Sequence, residues 1–256
     1  MSDVVSNKRD LKFVWKIIRL FLLVLLIAFG SALLVNLFFK KSFLTKLAFP
    51  VSLLLSTYFS NNLLDQKSLQ NIGLREFNLR SLREFVFGLV LALLTHLVSF
   101  LPLVIFKAVA LEEFNLSAKL IQIGVSGLLY WVLVGFGEEV AFRGYLLNCF
   151  PAGYRFWTRN IISALLFSAL HLVNPSYTAL IAFPSAFILG LYLGYLYKIT
   201  GAIWASIGFH ISFNYFGSFF DLPEGLSFSM EITIILAVLI VNFLLVKFCY
   251  TLRREQ

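Results

Sequence analysis

Two adjacent carboxylates and a guanidinium lie inside an apolar stretch, and the thirteen residues before Gly137 carry no charge. They are Glu138, Glu139 and Arg143 in the run Gly-Glu-Glu-Val-Ala-Phe-Arg-Gly-Tyr. Ionisable groups at membrane depth are costly unless they are paired or face water, so they indicate a functional site. The i, i+4 spacing predicts an ion pair between Glu139 and Arg143. Glu138 is left without a local partner, and we expect it to face a wet cavity.

Two later apolar segments also carry polar side chains. Phe167 lies one turn before His171, and His210 lies one turn before Asn214. At 1.5 Å per residue, Glu138 and His171 each lie about 18–20 Å from the loop that joins their segments. His210 and Asn214 lie about 14–20 Å from the next loop on the same side of the membrane. Three helices are therefore predicted to bring polar groups to one level.

These residue types could hydrolyse an amide bond without a covalent intermediate. Glu138 would take a proton from water as general base, and His171 would orient or share that proton. His210 and Asn214 offer hydrogen-bond donors that could stabilise the developing oxyanion. Two His and two Glu could also bind zinc, but the His-Glu-x-x-His pattern is absent and the adjacent Glu residues should point in different directions. We therefore predict a metal-independent site, with zinc as the alternative cofactor.

The composition indicates which architecture must position these groups. The 256 residues are 60% hydrophobic and 13% charged, whereas soluble domains carry about 25% charged residues. We predict an all-α, polytopic membrane protein of about eight transmembrane helices, with a polar cavity inside the membrane. The eight predicted segments are Phe13–Phe39, Phe43–Leu64, Phe85–Phe106, Leu120–Phe150, Asn160–Val173, Tyr177–Lys198, Ala202–Phe220 and Ile232–Tyr250.

The distribution of basic residues predicts the orientation. With eight spans, sixteen Lys and Arg residues lie on the side of the termini and five lie on the opposite side. The positive-inside rule therefore places both termini in the cytoplasm. The net charge of +8 arises at the ends of spans and not in an aromatic-basic patch, so we predict no nucleic-acid partner. A compact chain without a retention signal favours a bacterial plasma membrane.

The segments divide into three parts. Residues 1–71 comprise the N-terminal tail, the first two spans and a linker. Residues 72–220 form the predicted catalytic helical core, and residues 221–256 hold the last span and a basic tail. Within the core, Gly190 and Gly194 are spaced as Gly-x-x-x-Gly, which permits close approach of a neighbouring helix.

The polar residues also match a family pattern in chain order. The pattern consists of Glu-Glu-x-x-x-Arg at 138–143, Phe-x-x-x-His at 167–171 and His-x-x-x-Asn at 210–214. In these motifs the chain resembles the CPBP intramembrane proteases, the CAAX-processing and bacteriocin-processing group also called the Abi family, from about Ile72 to Phe220. The resemblance implies an eight-helix fold with a conical cavity. It further implies that Glu138 and His171 activate water, while His210 and Asn214 form the oxyanion hole.

The predicted function is an intramembrane endopeptidase acting on a peptide or lipidated protein within the lipid bilayer. In the eukaryotic branch of the family the substrate is a prenylated CAAX protein. Two alternatives remain open. Intramembrane Glu, His and Arg also serve proton- or ion-coupled transporters, although internal repeats and broken helices are not visible in the sequence. The chain could also be a catalytically idle bacteriocin-immunity or scaffold protein.

Overall fold

The computed structural model describes residues 2–38, 43–105, 116–172 and 179–218, and residues 240, 243, 244 and 247 near the C terminus. Every regular element within these ranges is helical, as predicted. Seven α-helices are present: α1 Ser2–Phe38, α2 Phe43–Tyr58, α3 Leu79–Ile105, α4 Leu116–Glu139, α5 Phe156–His171, α6 Ala179–Thr200 and α7 Trp204–Gly217. Two π-helices, Phe59–Leu64 and Val140–Leu146, and a 3₁₀-helix, Leu69–Ile72, complete the set.

Four helical stretches in the described ranges are long and apolar enough to cross a membrane: Lys12–Val35, Leu79–Val98, Gly124–Leu146 and Ala182–Thr200. The chain is therefore an integral membrane protein, and the predicted eight spans are confirmed only in part. Helices α5 and α7 have 16 and 14 residues, which is short of the roughly 20 needed for a full crossing. The eighth predicted segment, Ile232–Tyr250, lies almost wholly outside the described residues.

Helix α3 begins six residues earlier than the apolar pattern predicts. The side-chain oxygen of Asn78 accepts hydrogen bonds from the backbone N–H groups of Arg80 at 3.0 Å and Ser81 at 3.1 Å. This is an N-cap, which satisfies backbone donors that the first turn of a helix leaves unpaired. The cap extends the helix into the polar stretch that precedes the predicted apolar segment.

The two π-helices also differ from the prediction, which treated the second and fourth segments as uninterrupted helices. The α-helical part of the second segment ends at Tyr58, and that of the fourth ends at Glu139. Every residue of the π-helix Val140–Leu146 is buried. Such π-turns are rare and are frequent at functional sites, and this one directly follows the paired carboxylates.

Glycines set the closest helix contacts. A Cβ added at Gly88 on α3 would overlap the Ala205 carbonyl on α7, and one added at Gly208 would overlap the Phe85 carbonyl on α3. The two backbones therefore touch at reciprocal glycines. The close approach predicted for Gly190 and Gly194 is also present, since α6 packs there against α5.

The change Gly208→Ala is expected to destabilise the protein, because its Cβ would meet backbone atoms that cannot rotate away. Overpacking of this kind costs about 1–3 kcal/mol. Thermal unfolding in detergent, followed by circular dichroism at 222 nm, measures the effect. Gly30→Ala is the matched control, because nothing lies within 4 Å of its Cβ position. Equal melting temperatures for the two variants would contradict the assigned contact.

Candidate active site

The imidazole of His210 on α7 lies between the two adjacent carboxylates. Its Nδ1 donates a hydrogen bond to Glu139 Oε1 at 2.8 Å, and its Nε2 lies 3.6 Å from Glu138 Oε2. All three residues are buried. We predicted that the adjacent carboxylates of Glu138 and Glu139 could not both face one group. This prediction was wrong for His210, because the two nitrogens of its ring point to different sides and each one reaches a different carboxylate.

Arg143 links the carboxylates to two further helices. The predicted ion pair is present, with Nη1 at 2.7 Å from Glu139 Oε1 and both side chains almost fully buried. Its Nη2 donates to the backbone carbonyl of Gly190 on α6 at 3.0 Å. The guanidinium carbon lies 4.6 Å from the ring centre of Phe167 on α5, within the range of a cation–π interaction. Arg143 therefore joins α4, α5 and α6 around the carboxylates.

One carboxylate oxygen on each glutamate accepts no hydrogen bond. Oε2 of Glu138 and Oε2 of Glu139 are buried and without a hydrogen-bond partner among the described residues. Leaving a buried charged oxygen unsatisfied carries a substantial free-energy cost. Of the two glutamates, Glu138 lacks both the arginine and the short histidine contact. Its Oε2 therefore lacks a hydrogen-bond donor, which a water molecule could supply.

Phe167 lies at the centre of the cluster and is fully buried. Its ring centre is 4.9 Å from that of His171 and 5.9 Å from that of His210, the latter with an edge-to-face geometry. Nδ1 of His171 donates to the Phe167 carbonyl at 3.0 Å, because a carbonyl oxygen can only accept. In the neutral ring this leaves the lone pair on Nε2. His171 is half-buried.

Asn214 stands one turn beyond His210 on α7 and is half-buried. Its side chain makes no hydrogen bond with another described residue. Residues four apart share a face of a helix, so its carboxamide lies on the same side of α7 as the His210 ring. The structure thus brings the carboxylates, Arg143, Phe167 and both histidines together, and it places Asn214 one helical turn away.

The site residues of α5 and α7 lie on two short helices. The functional residue of α5 is its last, His171, and those of α7 lie in its second half. Helices of 16 and 14 residues are about 24 and 21 Å long, which is less than the thickness of a hydrocarbon layer of about 30 Å. As described, α5 and α7 are therefore shorter than the full crossings that the apolar pattern predicted.

A polar network that sequence reasoning missed holds the π-helix in place. The Tyr145 hydroxyl accepts a hydrogen bond from Arg19 at 2.7 Å and donates to Asp65 at 3.1 Å. Asp65 also pairs with Lys16 at 2.7 Å and with Arg19 at 2.8 Å. The network links α1 and the end of the π-helix Phe59–Leu64 to Tyr145, which lies seven residues beyond Glu138. Its members are up to 126 residues apart in sequence, so no local pattern could have indicated it.

His96 is a second residue whose position the sequence did not indicate. Its ring stacks on that of Phe213, with centroids 4.9 Å apart and an interplanar angle of 17°. Its Nε2 donates to the Phe213 carbonyl at 2.9 Å. Phe213 immediately precedes Asn214, so His96 on α3 contacts the last turns of α7.

Two predictions about the surroundings of the site stay predictions. Within the ranges described, no group of three or more His, Cys, Asp and Glu side chains is arranged to hold a metal ion, and metal independence awaits a chemical test. The hydrated cavity in the membrane likewise stays a prediction. The described residues provide a carboxylate oxygen without a hydrogen-bond donor, a histidine lone pair and a half-buried carboxamide.

Comparison with known proteins supports the motif assignment. Residues 121–216 match the family model of the Rce1-like type II CAAX prenyl endopeptidases. The matched range contains all three motifs, from the adjacent carboxylates of α4 to Asn214, and it is shorter than the predicted core of residues 72–220. No curated protein matches the chain.

Proposed function

Since residues 121–216 form an Rce1-like domain, and so belong to the type II CAAX prenyl endopeptidase family, we propose that the chain is a glutamate-dependent intramembrane endopeptidase. Its substrate would be a lipidated or membrane-associated peptide. The observation that carries the proposal is Oε2 of Glu138, which is buried 3.6 Å from His210 Nε2 and accepts no hydrogen bond from a described residue. A carboxylate oxygen without a hydrogen-bond donor can accept a hydrogen bond, and then a proton, from water.

In the proposed reaction a water molecule lies between Glu138 and His171. Glu138 removes one proton as general base while the water oxygen attacks the carbonyl carbon of the peptide bond. Nε2 of His171, with its lone pair set by the Nδ1 hydrogen bond to Phe167, accepts a hydrogen bond from the remaining O–H of the water and orients the oxygen. The tetrahedral intermediate collapses when the proton held by Glu138 passes to the leaving amine nitrogen. No covalent enzyme intermediate is required.

His210 and Asn214 are proposed to stabilise the oxyanion of that intermediate, and the geometry adds a condition for His210. Its Nδ1–H is committed to Glu139, so Nε2 can donate to an oxyanion only when the ring is doubly protonated. The carboxamide N–H of Asn214 supplies a second donor from the same face of α7.

For the cellular setting, we propose a bacterial plasma membrane with both termini in the cytoplasm. The support is the distribution of sixteen against five basic residues across the predicted spans. The bilayer and the peptide or lipidated substrate are the proposed partners, without nucleic acid. Alkaline-phosphatase fusions to the C terminus are expected to be inactive in intact cells, and an active fusion would reverse the assigned orientation.

The function is tested with purified protein in liposomes and a fluorogenic farnesylated peptide, beside the same peptide without the lipid. Cleavage is expected to fall about 10²–10⁴-fold in His171→Ala, the range for loss of a group that handles protons. The exposed neighbouring change Leu172→Ala is the control and should retain activity. Full activity in His171→Ala would mean that His171 takes no part in the hydrolysis. Proton flux through the wild type without cleavage of either peptide would favour the transporter.

Chelation tests the cofactor prediction. Dialysis against EDTA and then 1,10-phenanthroline is expected to leave the initial cleavage rate unchanged, because water activation is assigned to a carboxylate and an imidazole. Metal content of the active protein is measured in parallel by mass spectrometry. Loss of activity that zinc restores would instead make Glu138 and the histidines ligands of a catalytic metal.

A further inference from the structure

A groove of about 580 Å³ runs along the outer side of α1, away from the active site. Its described lining residues all belong to this helix: Lys12, Trp15, Lys16, Ile18, Arg19, Leu22, Leu23 and Leu26. On the opposite side of the helix, Leu20 and Val24 are each only 2% exposed and pack into the core that contains Phe142 and Phe167. The body of α1 therefore separates the groove from the carboxylates of α4.

The groove is polar at one end and apolar at the other. We call Lys12, Lys16 and Arg19 its basic end, and Leu22, Leu23 and Leu26 its leucine end. The basic end lies where the apolar span of α1 begins, at Lys12. Seven residues of helix, or about 10 Å, separate Lys12 from Arg19, and the leucine end extends about 10 Å deeper. This sequence of a charged zone and an apolar zone along the membrane normal matches an amphiphile with a head group and a chain.

The basic end carries more positive than negative charge. Lys16 and Arg19 share the single carboxylate of Asp65, and their side chains remain 27% and 29% exposed. Burial opposes ionisation of Asp65, but hydrogen bonds from Lys16 and Arg19 hold its pKa below the usual range. The carboxylate is therefore charged at neutral pH, and three cations face one anion. Two positive charges remain at the head-group level, where Trp15 is 64% exposed.

We propose that this groove binds an anionic phospholipid, with the phosphate at the basic end and one acyl chain along the leucine end. The excess charge selects a lipid with a net negative head group over a zwitterionic one, since each basic residue near an anionic surface strengthens binding about fivefold. A peptide substrate fits the site less well, because α1 separates the groove from Glu138. The proposal does not depend on peptidase activity.

Trp15 provides the probe. The full chain is reconstituted in phosphatidylcholine vesicles that contain either brominated phosphatidylglycerol or brominated phosphatidylcholine at equal mole fraction. Subtracting the fluorescence of Trp15→Phe from that of the wild type isolates the quenching of this residue. Phosphatidylglycerol is expected to quench Trp15 more strongly, and the double change Lys12→Gln with Lys16→Gln is expected to weaken that preference on the order of tenfold.

Two further variants control the result. Lys67→Gln with Arg75→Gln removes the same charge from exposed residues outside the groove and should keep the preference, as should Lys12→Arg with Lys16→Arg. Equal quenching by both lipids, or an equal loss in the control pair, would overturn the site. Relief of quenching by a farnesylated peptide would assign the groove to that peptide and also overturn the lipid assignment.

Discussion

The change Glu138→Gln is expected to reduce kcat for peptide hydrolysis by about 10²–10⁴-fold, the usual contribution of a general base. Gln has nearly the same shape as Glu but cannot take a proton from water at neutral pH. KM should change little, because Gln keeps the shape of the side chain and Glu138 is assigned to the water molecule and not to the peptide. Initial rates in liposomes over a range of substrate concentrations separate the two constants.

Glu84→Gln is the matched control for this change. Glu84 is also a buried carboxylate, but it lies on α3 and pairs with Arg80 at 3.1 Å. We expect normal hydrolysis from this variant and a normal melting temperature from Glu138→Gln. Hydrolysis at the wild-type rate in Glu138→Gln would mean that another group activates the water.

The change Arg143→Met is expected to destabilise the fold by about 3–5 kcal/mol, because it leaves Glu139 charged and buried without its arginine. The matched comparison is Arg80→Met, since Arg80 and Glu84 form the same i, i+4 pair with the arginine side chain 67% exposed. Because the Arg80 side chain is mostly in solvent, Arg80→Met should destabilise the fold less than Arg143→Met. Unfolding in mixed micelles of increasing denaturing-detergent content measures both variants.

A double change separates the loss of the ion pair from the loss of packing against Phe167. Adding Glu139→Gln to Arg143→Met removes the unpaired charge, so part of the lost stability should return. An equal loss in Arg143→Met and Arg80→Met would contradict a buried ion pair. A double variant that is no more stable than Arg143→Met would show that packing of the guanidinium, and not its charge, holds the three helices together.

The residues that meet in the site could be predicted from the sequence because each lies in an apolar segment, where an ionisable group stands out. Counting residues from the loops placed Glu138, His171 and His210 at similar depth, and the described contacts join the helices that carry them. The Glu139–Arg143 pair followed from its i, i+4 spacing. These features depend on position along one helix, which the sequence gives directly.

Other features depend on contacts between helices, and the sequence does not give these. That His210 bonds Glu139 depends on how α7 is rotated against α4. The hydrogen bond from Arg19 to Tyr145 and the contact of His96 with Phe213 join residues that are more than 100 positions apart in the sequence. One local signal was also overlooked. Asn78 lies three residues before Ser81 and caps the N-terminus of α3, in a polar stretch that hydropathy alone does not assign to a helix.

The π-helix Val140–Leu146 has a consequence for which changes of length the chain can tolerate. A π-turn accommodates one residue more than an α-turn, and each residue of an α-helix turns the chain by about 100°. Deleting a single residue here would therefore let the α-helix continue with Tyr145 still directed toward Arg19 and Asp65 and with the carboxylates in place. The loss of one residue between Glu139 and Tyr145 should be tolerated better than the same loss in an α-helical stretch, where it would rotate all later side chains by about 100°.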